Sequence, residues 1–235
     1  MLNRFVIPVL IVVVMSLGFY AFPARAADPP RNYVALTLDD GPDENAGRVM
    51  NILRNNNARG VFFVIGANVT ARPGQVRRMR DEGHVIGNHT YDHVDLTTLG
   101  APEIGEQFAL TNAALARLNV VPDLFRPPFN RANESVWDAG WDQGMAMVRA
   151  DCDPADWSYT SARPIRQNVQ NCDLQNGSII QLHSWNAATS QALPGMIRDI
   201  RARGFCLGIV KPSTVWNPLH AGWIEVAPSP ETDGC

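Results

Sequence analysis

The feature that most limits the fold of this chain is a regular alternation of short apolar runs and longer helix-like segments. The apolar runs, each of strand length, are residues 33–38, 60–65, 84–87, 123–126, 144–149, 178–182 and 205–210. The helix-like segments between them are residues 46–55, 74–82, 101–119, 132–142, 162–173 and 191–203. Strands that alternate with helices are joined by right-handed crossovers, so this order predicts a parallel α/β architecture in a single domain.

Polar side chains gather where the apolar runs end, and this placement favours a barrel over an open sheet. They follow five of the runs in turn: Asp39 and Asp40, then His89 and His93, then Arg126, then Asp153 and Asp156, and finally His183. In a (β/α) barrel the carboxyl ends of all strands surround one pocket, whereas an open sheet gathers only the residues near its switch point. We therefore expect a distorted (β/α) barrel of about seven parallel strands, with a functional site at its C-terminal rim.

The Asp-Asp pair and the two histidines form a ligand set that suits a divalent metal ion. His89 and His93 supply imidazoles, and one carboxylate of Asp39-Asp40 supplies an oxygen, which are ligands that Zn²⁺ accepts. Three protein ligands leave a coordination position open, as in catalytic rather than structural zinc sites. Neighbouring carboxylates repel each other, so the second one is expected to have a separate role as a base. The pattern indicates a metallohydrolase.

The N-terminal segment predicts export from the cytoplasm. Residues 5–22 are almost wholly apolar, follow Arg4 and lead into Ala24-Arg25-Ala26. This order is typical of a signal peptide cleaved after Ala26. An uncleaved membrane anchor is the alternative, because the apolar run is long enough to span a bilayer. We expect a secreted or periplasmic protein.

These signals divide the chain into a signal peptide at 1–26, a catalytic domain at 27–217 and a C-terminal tail at 218–235. Loss of Arg4 and Arg25 with the signal peptide takes the formal charge from −3 to −5. This negative net charge argues against nucleic acid as a partner. No protein partner is implied, and we expect a monomer.

Four cysteines lie in the exported part of the chain: Cys152, Cys172, Cys206 and Cys235. An even number in an exported protein favours two disulfides, for which three connectivities exist. The pairing that we favour is Cys152–Cys172 with Cys206–Cys235. A Cys₄ zinc site requires closely spaced cysteine pairs, which the sequence lacks, and free structural thiols are the remaining alternative.

The motifs together resemble the polysaccharide deacetylases of carbohydrate esterase family 4. The matching segments are Thr37-Leu38-Asp39-Asp40-Gly41-Pro42, His89-Thr90-Tyr91-Asp92-His93, Arg126-Pro127-Pro128-Phe129, Asp153-Pro154-Ala155-Asp156-Trp157 and the strand that ends in His183. The resemblance extends from about residue 33 to residue 210. It implies a distorted barrel of (β/α) units and the removal of acetyl groups from an acetylated polysaccharide or oligosaccharide.

The resemblance also implies which residues bind the metal and which acts as the base. Asp40, His89 and His93 would hold the ion, with Zn²⁺ expected and Co²⁺ as the alternative. Asp39 would be the general base that takes a proton from the attacking water. Arg126 would pair with Asp39 and hold it ionised and in position.

The other implied roles concern the general acid and the substrate. His183 would protonate the leaving group, and Asp156 would favour its charged form and fix its orientation. A backbone N–H near Phe129 would stabilise the oxyanion. Trp157 and Leu182 would form the walls of the acetyl pocket.

Some positions depart from the family pattern or lie outside the motifs. Asn130 stands where Gly is usual, Gln181 where Leu is usual and Ser184 where Asp is frequent. If the Gln181 side chain points into the pocket, it makes the acetyl site more polar than usual. His84 and His220 lie outside the motifs, and we expect both to be structural.

The sequence leaves three functions to compare with an N-deacetylase. A non-haem iron oxygenase also uses two histidines and one carboxylate, but it needs an all-β scaffold and would leave Asp39 without a role. A catalytically silent carbohydrate-binding protein is disfavoured, because all five positions with catalytic or metal-binding chemistry are intact. An O-acetyl xylan esterase would use the same site, and the sequence does not separate it from a deacetylase acting on N-acetylglucosamine units of chitin or peptidoglycan.

Overall fold

The computed structural model describes residues 31–217, 222–230 and Cys235. Within these ranges the strands are β1 (Asn32–Gly41), β2 (Val61–Val64), β3 (Val85–Asn88), β4 (Leu124–Phe125), β5 (Ala146–Met147), β6 (Ile179–His183), β7 (Phe205–Asn217) and β8 (Gly222–Ala227). The α-helices are α1 (Ala46–Asn55), α2 (Gly66–Ala71), α3 (Pro73–Asp81), α4 (Ala101–Ala116), α5 (Glu134–Asp142), α6 (Ala162–Asn171) and α7 (Ala187–Ala202).

The strands form a nearly closed parallel barrel centred on β1, which confirms the expected fold class. From β1 the sheet continues through β2, β3 and β4 to β5 on one side, and β1 pairs with β6 and β7 on the other. A parallel bridge between Cys152, which follows β5, and Ile180 of β6 brings the two sides together. The register aligns Asp39 with His183, so the carboxyl ends of β1 and β6 meet at one rim.

Side chains of β1 alternate between the barrel interior and the surrounding helices. Ala35 packs in the interior cluster with Phe63, whereas Leu36 and Leu38 pack in the cluster that the helices cover. Both faces of the strand are therefore buried, which explains the continuous apolar run in the sequence. Burial of each leucine-sized side chain contributes roughly 1.5–3 kcal/mol to folding.

The structure differs from the sequence-based assignment at three elements. Helix α2 was not expected, because its six residues are too short to show a helical period. Helix α7 begins at Ala187 rather than residue 191, and it contains Pro194. Strand β8 pairs antiparallel with β7, so part of the expected C-terminal tail extends the sheet as a hairpin.

Both disulfides that the sequence favoured are present. Cys152–Cys172 joins the segment after β5 to the end of α6, and Cys206–Cys235 ties β7 to the last residue. Both cross-links limit the freedom of the unfolded chain, which stabilises the folded state.

Two expectations concern residues outside the described ranges, namely the signal peptide at 1–26 and His220. In the part of the chain that is described, no helix has the length and apolar character required to cross a bilayer.

Candidate active site

The end of β1 delivers two neighbouring carboxylates to the same cavity. Asp39 continues the inward-facing series of Ala35 and Thr37, and it is 1% exposed. Asp40 has φ of 69°, so it leaves the extended conformation, and its carboxylate lines the cavity beside Asp39. Such a conformation is uncommon for a residue with a side chain and recurs at functional sites. Asn68 donates to the carbonyl of Asp40 at 2.8 Å and supports this turn.

Asp40, His89 and His93 converge as a candidate ligand group for a metal ion. Asp40 Oδ1 lies 3.3 Å from His89 Nε2 and 3.1 Å from His93 Nε2, and all three candidate ligand atoms lie within 4.8 Å of one another. Burial opposes ionisation of Asp40, but hydrogen bonding with the two imidazoles holds its pKa well below the usual range. Asp40 Oδ1 is buried, and among the described residues no well-aligned donor satisfies it, although both imidazole nitrogens lie close to it. A buried carboxylate oxygen that faces two imidazole nitrogens fits a divalent cation.

The tautomer of His89 is set by its second nitrogen. His89 Nδ1 lies 2.7 Å from the carbonyl oxygen of Arg126, so Nδ1 carries the proton and donates it to this carbonyl. The Nε2 lone pair is therefore available to a metal ion. An outer hydrogen bond of this kind fixes ring orientation in many metal sites.

The loop after β3 places both histidines by a tight turn. Asn88 accepts from the Thr90 N–H through its side chain at 2.8 Å, and Thr90 Oγ1 accepts from the His93 N–H at 3.1 Å. Thr90 and His93 have φ of 66° and 61°. This backbone path lets two residues four apart direct their rings at one point, which an extended strand would not allow.

The second carboxylate is held by a buried guanidinium. Arg126 is 0% exposed, and its Nη1 donates to Asp39 Oδ1 at 2.8 Å and to Thr37 Oγ1 at 2.7 Å. The guanidinium carbon also lies 4.4 Å from the centre of the Phe63 ring. The buried guanidinium compensates the charge of the buried carboxylate and fixes its position.

His183 and Asp156 form a second charged pair across the cavity. His183 Nδ1 lies 2.7 Å from Asp156 Oδ1, and the His183 backbone N–H donates to Asp156 Oδ2 at 2.8 Å. Burial lowers the pKa of His183, but the hydrogen bond and charge of Asp156 outweigh this and raise it to about 9. Thr189 also donates to Asp156 and fixes the carboxylate from the side of α7. The imidazole is therefore positively charged at neutral pH.

Trp185 is a site residue that the sequence analysis missed. Its indole N–H donates to Asp40 Oδ2 at 3.0 Å, and its ring centre lies 5.8 Å from that of His183. The sequence offered only its position two residues after a strand-ending histidine, because the contact with Asp40 spans 145 residues.

These side chains surround one open cavity of about 440 Å³. Its lining consists of Asp39, Asp40, His89, His93, Phe129, Asn130, Asp153, Trp157, Gln181, His183 and Trp185. Phe129 and Trp157 are 60% and 57% exposed, so both present apolar rings at the mouth. Exposed aromatic rings beside a polar cavity suit the flat apolar faces of sugar rings.

Leu182 does not have the position expected for an acetyl-pocket wall, and this expectation is corrected. It is fully buried in the cluster between the barrel and its helices. Gln181 and His183 line the cavity instead. Successive residues of a strand point to opposite faces, so Leu182 cannot share the face of its two neighbours.

His84 is structural, as its position at the start of β3 suggested. Its Nδ1 accepts from the Gly60 N–H at 3.1 Å, and its ring packs edge-on against Phe62 with centres 5.1 Å apart. Burial lowers the pKa of His84 to about 4, and the nearby charge of Arg59 adds to this effect. The ring is therefore neutral at physiological pH.

Known proteins resemble this chain in both sequence and structure. Residues 26–148 match the family model described as polysaccharide deacetylase. A peptidoglycan-N-acetylglucosamine deacetylase of Bacillus cereus is 35% identical over 177 residues, which are 73% of this chain and 64% of that protein. A bifunctional xylanase/xylan deacetylase of Cellvibrio japonicus is 34% identical over 185 residues, which are 77% of this chain and 28% of that protein.

The solved structures include a family 4 carbohydrate esterase from Streptomyces lividans in complex with acetate. It superposes with a TM-score of 0.74 at 32% identity, and the match covers 84% of this chain and 98% of that chain. The match therefore extends over nearly all of that chain. The two curated relatives are longer, since this chain spans 64% and 28% of their lengths.

Proposed function

The chain belongs to the polysaccharide deacetylase family, carbohydrate esterase family 4, and on this basis we propose that it is a metal-dependent hydrolase that removes acetyl groups from a polysaccharide. The favoured substrate contains N-acetylglucosamine units, as in chitin or the glycan of peptidoglycan. One observation carries the proposal. A carboxylate paired with a buried arginine and a cationic imidazole paired with a buried aspartate line one cavity, beside a ligand set for a divalent ion.

Asp40, His89 and His93 would hold the metal ion, with Zn²⁺ proposed and Co²⁺ as the alternative. When bound, a divalent cation there supplies positive charge that favours ionisation of water and polarises the acetyl carbonyl. The buried Asp40 Oδ1 and the Nε2 atoms of both histidines support this assignment.

Asp39 is proposed as the general base. Arg126 compensates its charge through Oδ1, which makes burial of the carboxylate tolerable. An ionised carboxylate facing the cavity accepts a proton from the water that attacks the acetyl carbon. General base catalysis of this kind contributes typically about 10²–10⁴-fold to the rate.

His183 is proposed as the general acid that protonates the leaving nitrogen. Asp156 keeps it as an imidazolium, with a pKa raised to about 9, and its Nδ1 contact leaves Nε2 directed at the cavity. Proton transfer from Nε2 to the amide nitrogen lets the carbon–nitrogen bond break, giving acetate and a free amine.

Phe129 and Trp157 are proposed to contact the substrate. The N–H of Phe129 would donate to the oxyanion that develops on the acetyl oxygen, and the two exposed rings would pack on sugar faces. The polar Gln181 replaces an apolar wall in this pocket.

The enzyme is further proposed to act outside the cytoplasm as a monomer. Two disulfides support export, because such bonds persist in oxidising compartments. The proposed boundaries remain 1–26 for the signal peptide, 27–217 for the catalytic domain and 218–235 for the tail, which contributes β8 to the hairpin described above.

Removal of O-acetyl groups from xylan is the second candidate, favoured by the 34% identity to the Cellvibrio japonicus xylan deacetylase. The test is acetate release from chitin oligosaccharides, peptidoglycan glycan and acetylated xylan, each with the wild type and with Asp39→Asn. The first candidate is supported if the wild type releases acetate from the N-acetylated glycans and Asp39→Asn does not. Release confined to acetylated xylan supports the second, and no release from any substrate by the metal-loaded wild type contradicts both.

A further inference from the structure

Gln181 and Asn130 form a short chain of hydrogen bonds that ends on Asp39. Gln181 Nε2 donates to Asp39 Oδ2 at 2.8 Å, and Asn130 Nδ2 donates to Gln181 Oε1 at 2.7 Å. Arg126 Nη1 donates to the other oxygen of the same carboxylate. Each oxygen of Asp39 therefore receives a hydrogen bond from a different element of the barrel.

The donors and acceptors in this series of hydrogen bonds follow from the charge of Asp39. Asp39 accepts a hydrogen bond from the Arg126 cation through Oδ1, and a carboxylate can only accept, so Gln181 must present its NH₂ group to Oδ2. Gln181 Oε1 then points away from Asp39 and needs a donor, which the Asn130 NH₂ group supplies. The amide orientation of both residues thus follows from their contacts with the Asp39 carboxylate.

Two donors on different oxygens fix the carboxylate plane, which one donor would leave free to rotate. Gln181 is 7% exposed, so bulk water does not replace its contact readily. Each carboxylate oxygen has two lone pairs, and Oδ2 therefore keeps one of them for a proton. The arrangement holds a base in one orientation without occupying all of its acceptor capacity.

We propose that Gln181, held in place by Asn130, is a positioning residue that orients the carboxylate of Asp39 for proton abstraction. The inference rests on the proposed function, in which Asp39 is the base. Asn130 and Gln181 are also the two positions in this cavity where the sequence departs from the family pattern, and the structure places them in contact. The two unusual residues therefore act together through their mutual hydrogen bond.

Asn130 offers a clean way to test the coupling. Its φ is 55°, a conformation that glycine adopts without strain, so Asn130→Gly removes the side chain and spares the turn. Gln181→Leu keeps a side chain of similar size and removes both hydrogen bonds. Ser178→Ala, at the start of β6, is the matched control, because Ser178 is a buried polar residue far from the cavity whose Oγ accepts from the Gln175 N–H.

The experiment compares kcat, KM and bound metal for the wild type, Gln181→Leu, Asn130→Gly, the double variant and Ser178→Ala, on the best substrate of the acetate-release series. We expect Gln181→Leu to lower kcat about tenfold, with KM and metal content nearly unchanged, because orientation of the base matters only in the reaction step. Asn130→Gly should lower kcat less. The double variant should be no worse than Gln181→Leu, since both residues act through one chain.

Each other result overturns the inference. Unchanged or higher kcat in Gln181→Leu would mean that the amide is neutral or obstructs the base. A change in KM alone would make Gln181 a substrate contact, and additive losses in the double variant would separate the two residues. If the metal-loaded wild type is inactive on every substrate, the proposed function and this inference both fail. If the wild type is active and Gln181→Leu has the same kcat, only the inference fails.

Discussion

Arg126 Nη1 lies 2.8 Å from Asp39 Oδ1, and this ion pair joins residues 87 positions apart inside the barrel. Neither side chain has meaningful contact with solvent, as Arg126 is 0% and Asp39 1% exposed. Each charge is therefore tolerated only because the other is present. The pair therefore links the stability of the barrel to the proposed base.

The first prediction concerns this pair. Arg126→Met should lower the free energy of unfolding by about 3–5 kcal/mol, because it leaves the Asp39 carboxylate buried without a cation. The double variant Arg126→Met with Asp39→Asn should recover part of that loss, since the uncompensated charge is gone. Urea unfolding of the two variants measures the difference. Equal losses in both would show that the arginine acts through packing on Phe63 instead.

The second prediction concerns the metal-binding group. His89→Ala and His93→Ala should each reduce bound metal and activity together, because two ligands rarely hold a catalytic ion as tightly as three. Metal content by elemental analysis after dialysis, alongside acetate release, is the measurement. Full metal occupancy in the double histidine variant would remove this site from consideration.

The third prediction separates the two adjacent aspartates. Asp39→Asn should retain the metal and lose about 10²–10⁴-fold in kcat, because it removes a base and no ligand. Asp40→Asn should weaken metal binding first, and excess metal should partly restore its activity. The comparison uses metal titrations of both variants. Equal loss of metal in the two would make Asp39 a ligand, and the base would have to be another residue.

The fourth prediction concerns His183 and pH. Asp156 raises the pKa of His183 to about 9, so the acid stays protonated up to that pH and activity should fall as pH rises through it. Asp156→Asn removes the charge that raises this pKa, and the basic limb of the pH–activity profile should move to lower pH. An unchanged basic limb in Asp156→Asn would assign that limb to another group.

The same acid can be tested with substrates of different leaving groups. His183→Ala should impair hydrolysis of amide substrates more than that of activated aryl acetates, whose leaving groups need no proton. Asp39→Asn is the matched control, because loss of the base should impair both substrates. Equal impairment by His183→Ala on both would mean that His183 positions the substrate and donates no proton.

The fifth prediction concerns stability at acidic pH. The pKa of His84 is lowered from 6.5 to about 4, so the unfolded chain binds a proton there before the folded chain does. The free energy of unfolding should therefore decrease as pH falls from about 6.5 towards 4, by at most about 3 kcal/mol from this residue. His84→Gln keeps an acceptor for the Gly60 N–H and cannot titrate in this range. Urea unfolding with a chelator present measures the free energy of unfolding at each pH, and this energy should depend less on pH in His84→Gln than in the wild type. The same pH dependence in both proteins would contradict the lowered pKa of His84.

The sequence by itself determined the barrel and the residues that make up the proposed chemistry. Periodicity separates strands from helices because it reflects burial on one or two faces, and Ala35 to Leu38 show the continuous run of a strand buried on both. Asp39, Asp40, His89 and His93 were identifiable because functional side chains of a parallel barrel follow the ends of its strands. Two disulfides were predictable because a segment typical of a signal peptide precedes four cysteines that include no close pairs.

Only the tertiary structure decided how these side chains contact one another. Leu182 was placed on the wrong face, because alternation along β6 sends it away from the cavity that Gln181 and His183 line. The contacts of Trp185 with Asp40 and of Gln181 with Asp39 span 145 and 142 residues, so no local pattern could indicate them. Strand β8 likewise depends on its partner β7, since a hairpin strand is stabilised by pairing more than by its own composition. Local sequence encodes which residues are buried and where elements end, whereas hydrogen bonds between distant elements exist only once the barrel has brought them together.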